Sequence, residues 1–203
     1  MENREVSTNN IYDILDKIEM RPLMYISEMK FSLLSAFIHG YEIANVLHHR
    51  QEEIFPTFVF FQDFLTKKYN LKGNAVRWHY SILYQNNNDE EISLEAFFQI
   101  FNEFKALTSI TVYSAFIDDT HLSFHHSEKC KIKRSIENRR EPLYSKVDEI
   151  QIIEFSKNFG FALLIKSNQQ GYPIYWEDVF NTKERAISQA EKSFGKSLIW
   201  NTI

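Results

Sequence analysis

Glycine, cysteine and long apolar runs are what this 203-residue chain has least of. Its five glycines, at positions 40, 73, 160, 171 and 195, never cluster. That excludes the glycine-rich loops whose backbone can close around a phosphate. A single cysteine, Cys130, excludes an internal disulfide, so nothing in the fold requires an oxidising compartment. No segment approaches the ~18 consecutive apolar residues of a membrane-spanning helix, and the polar start "MENREVSTNN" lacks the apolar run of a secretory signal. These absences predict a cytoplasmic protein with no membrane partner.

What the chain does have is aromatic mass. Hydrophobic residues make up 44% and charged residues 25%, ordinary for a globular protein, but 18 Phe and 10 Tyr must largely be buried or in contact. Charge is unevenly spread. Residues 1–107 carry 10 basic against 15 acidic side chains and residues 108–203 carry 13 against 12. An acidic first half repels nucleic acid and attracts basic partners.

The hydrophobic period divides the chain in the same place. Ile11, Ile14, Leu15 and Ile18 form one helical stripe with Thr8 or Asn10 as cap. The run "FSLLSAFIHGYEIANVLHH" repeats the pattern through Leu33, Leu34, Phe37, Tyr41, Ala44 and Leu47. A helix beginning near Pro56 and another at "AVRWHYSILYQ" follow. The clearest helix is "SLEAFFQIFNEFKAL", with Ser93 as cap and Leu94, Phe97, Phe98, Phe101 and Phe104 on one face. Beyond 108 the period shortens to that of strands: "ITVYSAFI", the pair "EIQIIEFSKNFGFALLIKS" turning near Gly160, and "GYPIYW" as an edge. Asn181 and Glu184 read as a capping box for "ERAISQAEKSF", with "LIW" as a closing strand. The expectation is an α+β protein: a helical domain at 1–107, then a small antiparallel sheet with a helix at 108–203.

Three constellations bear on chemistry. "MRPLMYI" at 20–26 resembles the "RPGMYIG" of DNA gyrase B-type ATPases, where the next helix brings a catalytic Glu and a magnesium-binding Asn. Here Glu42 and Asn45 stand three apart rather than four, and no glycine loop exists to hold nucleotide, so the ATPase reading fails. The segment reads instead as a helix stop at Arg21–Pro22, with Met24, Tyr25 and Ile26 packed beneath the second helix. His121, His125, His126 and Cys130 match no common zinc spacing. The basic run holding Lys129, Lys131, Lys133, Arg134, Arg139 and Arg140 reads as a solvated loop. Glutamates interrupt it, and no aromatic lies between Cys130 and Pro142 to stack on a base. Binding to nucleic acid through residues 129–140, in a regulatory role, is therefore the second reading. No catalytic, cofactor-binding or metal-ligating residue is assigned, and the chain reads as a non-enzyme.

Taken together, the helix ending in "RPLMYI", then "FSLLSAFIHGYEIA", "FQDFLTKKYNL", "VRWHYSIL" and "DEEISLEAFFQIFNEF" resemble small bacterial immunity proteins encoded beside polymorphic or contact-dependent growth inhibition toxins. The resemblance covers roughly residues 12–107. Such proteins often carry "RPxMYxG", and here Ser27 replaces the glycine. The tail "YPIYWEDVFNTKERAISQAEKSFG" also looks like the strand–helix endings of immunity-type proteins. What the resemblance implies is a non-catalytic inhibitor that occludes a cognate toxin domain. It identifies no functional residue. A nuclease toxin must present basic residues to its substrate, so an inhibitor competes with carboxylates set among aromatic anchors. The residues expected to meet such a partner are Asp89, Glu90, Glu91 and Glu95, beside Tyr84 and Trp78.

Overall fold

A computed structural model describes residues 10–47, 56–71, 77–117, 131–134, 143–146, 148–166, 174–194 and 198–203. The fold is α+β, with helices in the first part of the chain and an antiparallel sheet in the second. Two compact units form, residues 1–57 with 71–105, and residues 58–70 with 106–203.

In the first unit, α1 (Ile11–Met20) is capped by Asn10, whose side chain accepts from Asp13 N at 2.9 Å. A 3-10 turn at Pro22–Met24 leads to α2 (Phe31–Leu47). The buried stripe of α2 is Phe31, Leu34 and Ile38, whereas Leu33, Phe37 and Tyr41 are only half-buried and Ala44 is exposed. The apolar face is thus turned from the one its sequence pattern picks out. It is turned because Phe31 sits among rings, 5.9 Å from Trp78 and 5.8 Å from Phe97. Ile26 is buried, but Met24 and Tyr25 are exposed rather than packed beneath α2, since the 3-10 turn carries them outward.

The core of this unit is built on the last of its helices, Glu90–Lys105, where Phe97, Phe101 and Phe104 are fully buried. Tyr12 meets Phe101 edge-on at 5.0 Å, and the Tyr12 hydroxyl donates to the Pro56 carbonyl. Burying a phenyl side chain of this kind contributes about 1.5–3 kcal/mol.

In the second unit, a 3-10 turn (Phe58–Phe60) and α3 (Phe61–Lys68) precede the sheet by sequence but pack on it. Sequence order puts this segment with the helices. Three contacts place it with the strands: Phe60 lies edge-on to Phe155 at 5.5 Å, Asp63 Oδ2 accepts from Val179 N at 3.3 Å, and Lys67 Nζ donates to the carbonyls of Asn158 and Phe159. α4 (Trp78–Gln85) and α5 (Glu90–Lys105) belong to the first unit. Ser93 does not cap α5. It lies inside the helix, buried, and the cap is Asp89, whose Oδ1 accepts from Ile92 N at 3.0 Å.

The five strands of the main sheet run in the order β6–β5–β4–β1–β7, all antiparallel, and β2–β3 form a separate two-stranded ladder. Their spans are β1 Ser109–Phe116, β2 Lys131–Arg134, β3 Leu143–Lys146, β4 Glu149–Phe155, β5 Gly160–Lys166, β6 Ile174–Phe180 and β7 Asn201–Thr202. Consecutive Ile152 and Ile153 on β4 are both buried, which requires both faces of the sheet to be covered because strand residues alternate. One face packs on α6 (Lys183–Phe194) through Ile150, Ile152, Leu163, Ala186, Ala190 and Phe194. The other carries Phe155 beneath Phe60. β6 is an edge strand as its sequence suggested, and the β4–β5 turn passes through Lys157 and Asn158 in left-handed conformation before Gly160. The cap of α6 is Thr182, whose Oγ1 accepts from Arg185 N at 3.3 Å, not Asn181. The closing strand falls at 201–202, beyond "LIW". His121, His125, His126, Cys130, Lys129, Arg139 and Arg140 lie outside the described residues.

Candidate interaction surface

Five of the six residues expected at the partner surface flank one turn, and Trp78 stands at the far end of α4 (Trp78–Gln85) from it. α4 and α5 are joined by residues 86–89, where Asn87 and Asn88 take positive φ angles of 53° and 61°. Asparagine tolerates that conformation better than other side chains with a Cβ. The turn is closed by Asn88 N donating to Leu83 O at 2.8 Å and Asp89 N to Asn86 O at 2.9 Å, while the Asn86 amide returns to Ile82 O at 2.9 Å. It sets the end of α4 beside the start of α5.

Three of the six are committed to structure. Asp89 caps α5. Glu90 Oε2 accepts from the backbone N–H of Ser32 at 2.8 Å, satisfying a donor in the first turn of α2. Trp78 is half-buried and leans on Phe97 at 5.6 Å, so most of its ring serves the core. The remaining three point outward. Tyr84 is 77% exposed, and Glu91 and Glu95 are exposed one helical turn apart.

Two residues extend this surface that sequence reasoning missed. Tyr80 is 60% exposed and lies four residues before Tyr84, on the same side of α4, and Ile92 is 53% exposed beside Glu91. The i, i+4 spacing of the tyrosines was the available signal. The exposed set thus combines two aromatic rings, two carboxylates and one aliphatic side chain. A second exposed apolar set, Met20, Leu23, Met24 and Met29, follows the end of α1 and the 3-10 turn. Charge follows the same division: the first unit holds 8 basic against 14 acidic residues and the second 15 against 13.

Titratable groups do gather at one other place in this unit. Burial raises the Glu42 carboxyl to about 6, against which the Arg77 charge pulls weakly downward. Burial also lowers His79, with Arg77 and His39 adding to the effect. Among the described residues no group of three His, Cys, Asp or Glu side chains is disposed to hold a metal ion.

In the second unit an open groove of about 560 Å³ lies between the start of α6 and the β1–β7 edge, lined by Tyr113, Glu154, Phe161, Lys183, Glu184 and Thr202 among others. Lys183 Nζ sits 5.8 Å from the Tyr113 ring centroid. No helix among the described residues is long and apolar enough to cross a membrane. Comparison with protein-family models, with curated proteins and with solved structures finds no match to this chain.

Proposed function

We propose that this protein is a bacterial immunity protein that neutralises a cognate toxin domain, a nuclease, by binding and covering it rather than by catalysis. The observation that carries the reading is the exposed aromatic and acidic surface at the α4–α5 turn: Tyr80, Tyr84, Glu91, Ile92 and Glu95. Tyrosines supply contact area at low entropic cost, and exposed carboxylates steer a basic partner into place and disfavour others. The −6 balance of the first unit, 8 basic against 14 acidic, favours a basic partner in the same sense. The sequence resemblance over residues 12–107 supports the same class of partner. Burial of this surface against the toxin prevents nucleic acid from reaching the toxin's own cations. The site of action is the cytoplasm, where such a toxin would meet its substrate.

The test is co-expression with the toxin domain encoded by the adjacent gene, read as survival, followed by titration of the two purified proteins. Protection with a saturable one-to-one complex is expected. Absence of both protection and binding overturns the proposal.

A further inference from the structure

The two helices that frame the candidate surface run antiparallel, and one ring contact fixes their register. α4 and α5 are joined by the short turn at 86–89, and Trp78, which opens α4, meets Phe97 at 5.6 Å. Tyr80 lies two residues after Trp78 and Glu95 two before Phe97, while Tyr84 lies six after and Glu91 six before. With the same rise of about 1.5 Å per residue in both helices, Tyr80 stands level with Glu95 and Tyr84 with Glu91. The surface is therefore two like units, each a ring and a carboxylate, repeated about 6 Å apart along the helices. Tyr80 and Tyr84 are 60% and 77% exposed, Glu91 and Glu95 are exposed, and none of the four is met by a cation among the described contacts. The Tyr80 ring rests against His79, centroids 4.2 Å apart. Burial lowers the His79 pKa, with the Arg77 and His39 charges adding to it, so this neighbour is uncharged at neutral pH and does not repel an incoming cation.

We infer, resting on the toxin-facing reading of this surface, that it selects arginine: two guanidinium groups of the partner, about 6 Å apart, each lie on a tyrosine and donate to the glutamate level with it. Packed helices have axes about 8–10 Å apart, so a group lying in the furrow between α4 and α5 is within reach of side chains from both. A guanidinium is planar, and it can stack through its face while its edge N–H groups hydrogen-bond a carboxylate. A lysine ammonium is a compact, strongly hydrated point charge with no face to stack. Carboxylates alone would accept either cation, and the two tyrosines are what favour arginine. Nucleic acid and acidic proteins are disfavoured by the sign of the surface.

The experiment is chemical footprinting of the toxin domain encoded by the adjacent gene, free and saturated with the full chain. Phenylglyoxal labels its guanidinium groups and an acetylating ester its amines, and peptide masses give the rate at each residue. Two toxin arginines should be shielded in the complex. Replacing Tyr80 and Tyr84 together by leucine keeps apolar area and removes the π faces, and should weaken binding about tenfold, the worth of two exposed cation–π contacts. Phenylalanine at both positions should bind within about threefold of wild type, because the ring face and not the hydroxyl makes the contact. Circular dichroism checks that each variant is folded, and the footprint on the unaltered protein decides the question even where a variant is not. A complex that shields toxin lysines and no arginine, a folded leucine pair that binds like wild type, or a phenylalanine pair that fails like leucine would each overturn the inference while leaving the toxin-binding reading in place. Absence of any complex overturns both.

Discussion

The carboxylate of Glu90 accepts from the backbone N–H of Ser32 at 2.8 Å, so the first turn of α5 caps the first turn of α2 from 58 residues away. Lys30 stands close by. Its hydrogen bond to Glu28, then the charges of Glu28 and Glu90, raise its pKa, and the Lys30–Glu28 pair measures 2.5 Å. Glu90→Ala should cost about 1 kcal/mol, the ordinary worth of a helix cap. Glu90→Gln, which keeps an acceptor oxygen and loses the favourable charge at the helix start, should cost about half as much. Urea denaturation of the three proteins checks both the loss and the order.

Gly160 carries a second stability prediction. It opens β5 at φ +130°, and a Cβ there would meet the Phe180 carbonyl oxygen at 2.5 Å. Neither the backbone conformation nor the space suits a side chain, and the obstacle is backbone that cannot swing aside. Gly160→Ala should destabilise by about 2 kcal/mol or more, read as a lowered melting temperature of the sheet unit.

How far the sequence disclosed this fold depended on whether the deciding contact was local. The period of "SLEAFFQIFNEFKAL" marks α5, because Phe97, Phe101 and Phe104 repeat on one face whatever they pack against. The turn before Gly160 and the edge position of β6 were legible for the same reason. Helix caps were less so: Ser93 looks like a cap, but Asp89 four residues earlier takes the role and leaves Ser93 buried without a hydrogen-bond partner for its Oγ. Segment 58–70 was illegible in a stronger sense. Nothing in "FVFFQDFLTKKYN" says that Asp63 and Lys67 will meet the backbone of β6 and the β4–β5 turn rather than the preceding helices. At the candidate surface, Tyr84, Glu91 and Glu95 could be named from sequence as exposed. Glu90 and Trp78 looked the same and were spent on packing, through partners at Ser32 and Phe31 that are remote in the chain.

Glu42 gives a pH dependence of definite sign. Its carboxyl titrates near 6 in the folded chain against an ordinary 4.5, because burial disfavours the charge. Between these values the folded protein holds a proton that the unfolded chain has released. Its contribution is therefore fully present below about pH 4.5 and is lost as pH rises through about 6. His79 acts oppositely, since its lowered pKa favours the folded state above its ordinary range and penalises it as pH falls. The difference between wild type and Glu42→Gln isolates the carboxyl. That variant should match wild type near pH 4 and exceed it by about 1–2 kcal/mol near pH 7.5, measured by urea denaturation across the range. A pH-independent difference would show that Glu42 is not buried as described.

The toxin-facing surface requires variants that spare the caps. Reversing Asp89, Glu90 and Glu91 together would confound binding with folding, because Asp89 holds the start of α5 and Glu90 the start of α2. Glu91 and Glu95 are exposed with no hydrogen bond or ion pair among the described contacts, and they stand one turn apart on α5. Replacing both by lysine should shift stability by no more than about 1 kcal/mol, part of it from placing cations near a helix N-terminus. Against a basic toxin domain, the same double reversal should weaken binding at least tenfold, mainly through a slower association that is restored toward wild type as salt rises. Tyr80→Ala with Tyr84→Ala should act instead on dissociation, since rings bury area and carry little charge. Surface plasmon resonance at two ionic strengths separates the two effects, with unfolding curves run in parallel. If the lysine pair leaves association unchanged while the fold is intact, the partner docks elsewhere, and the exposed apolar set at Met20, Leu23, Met24 and Met29 becomes the surface to substitute next.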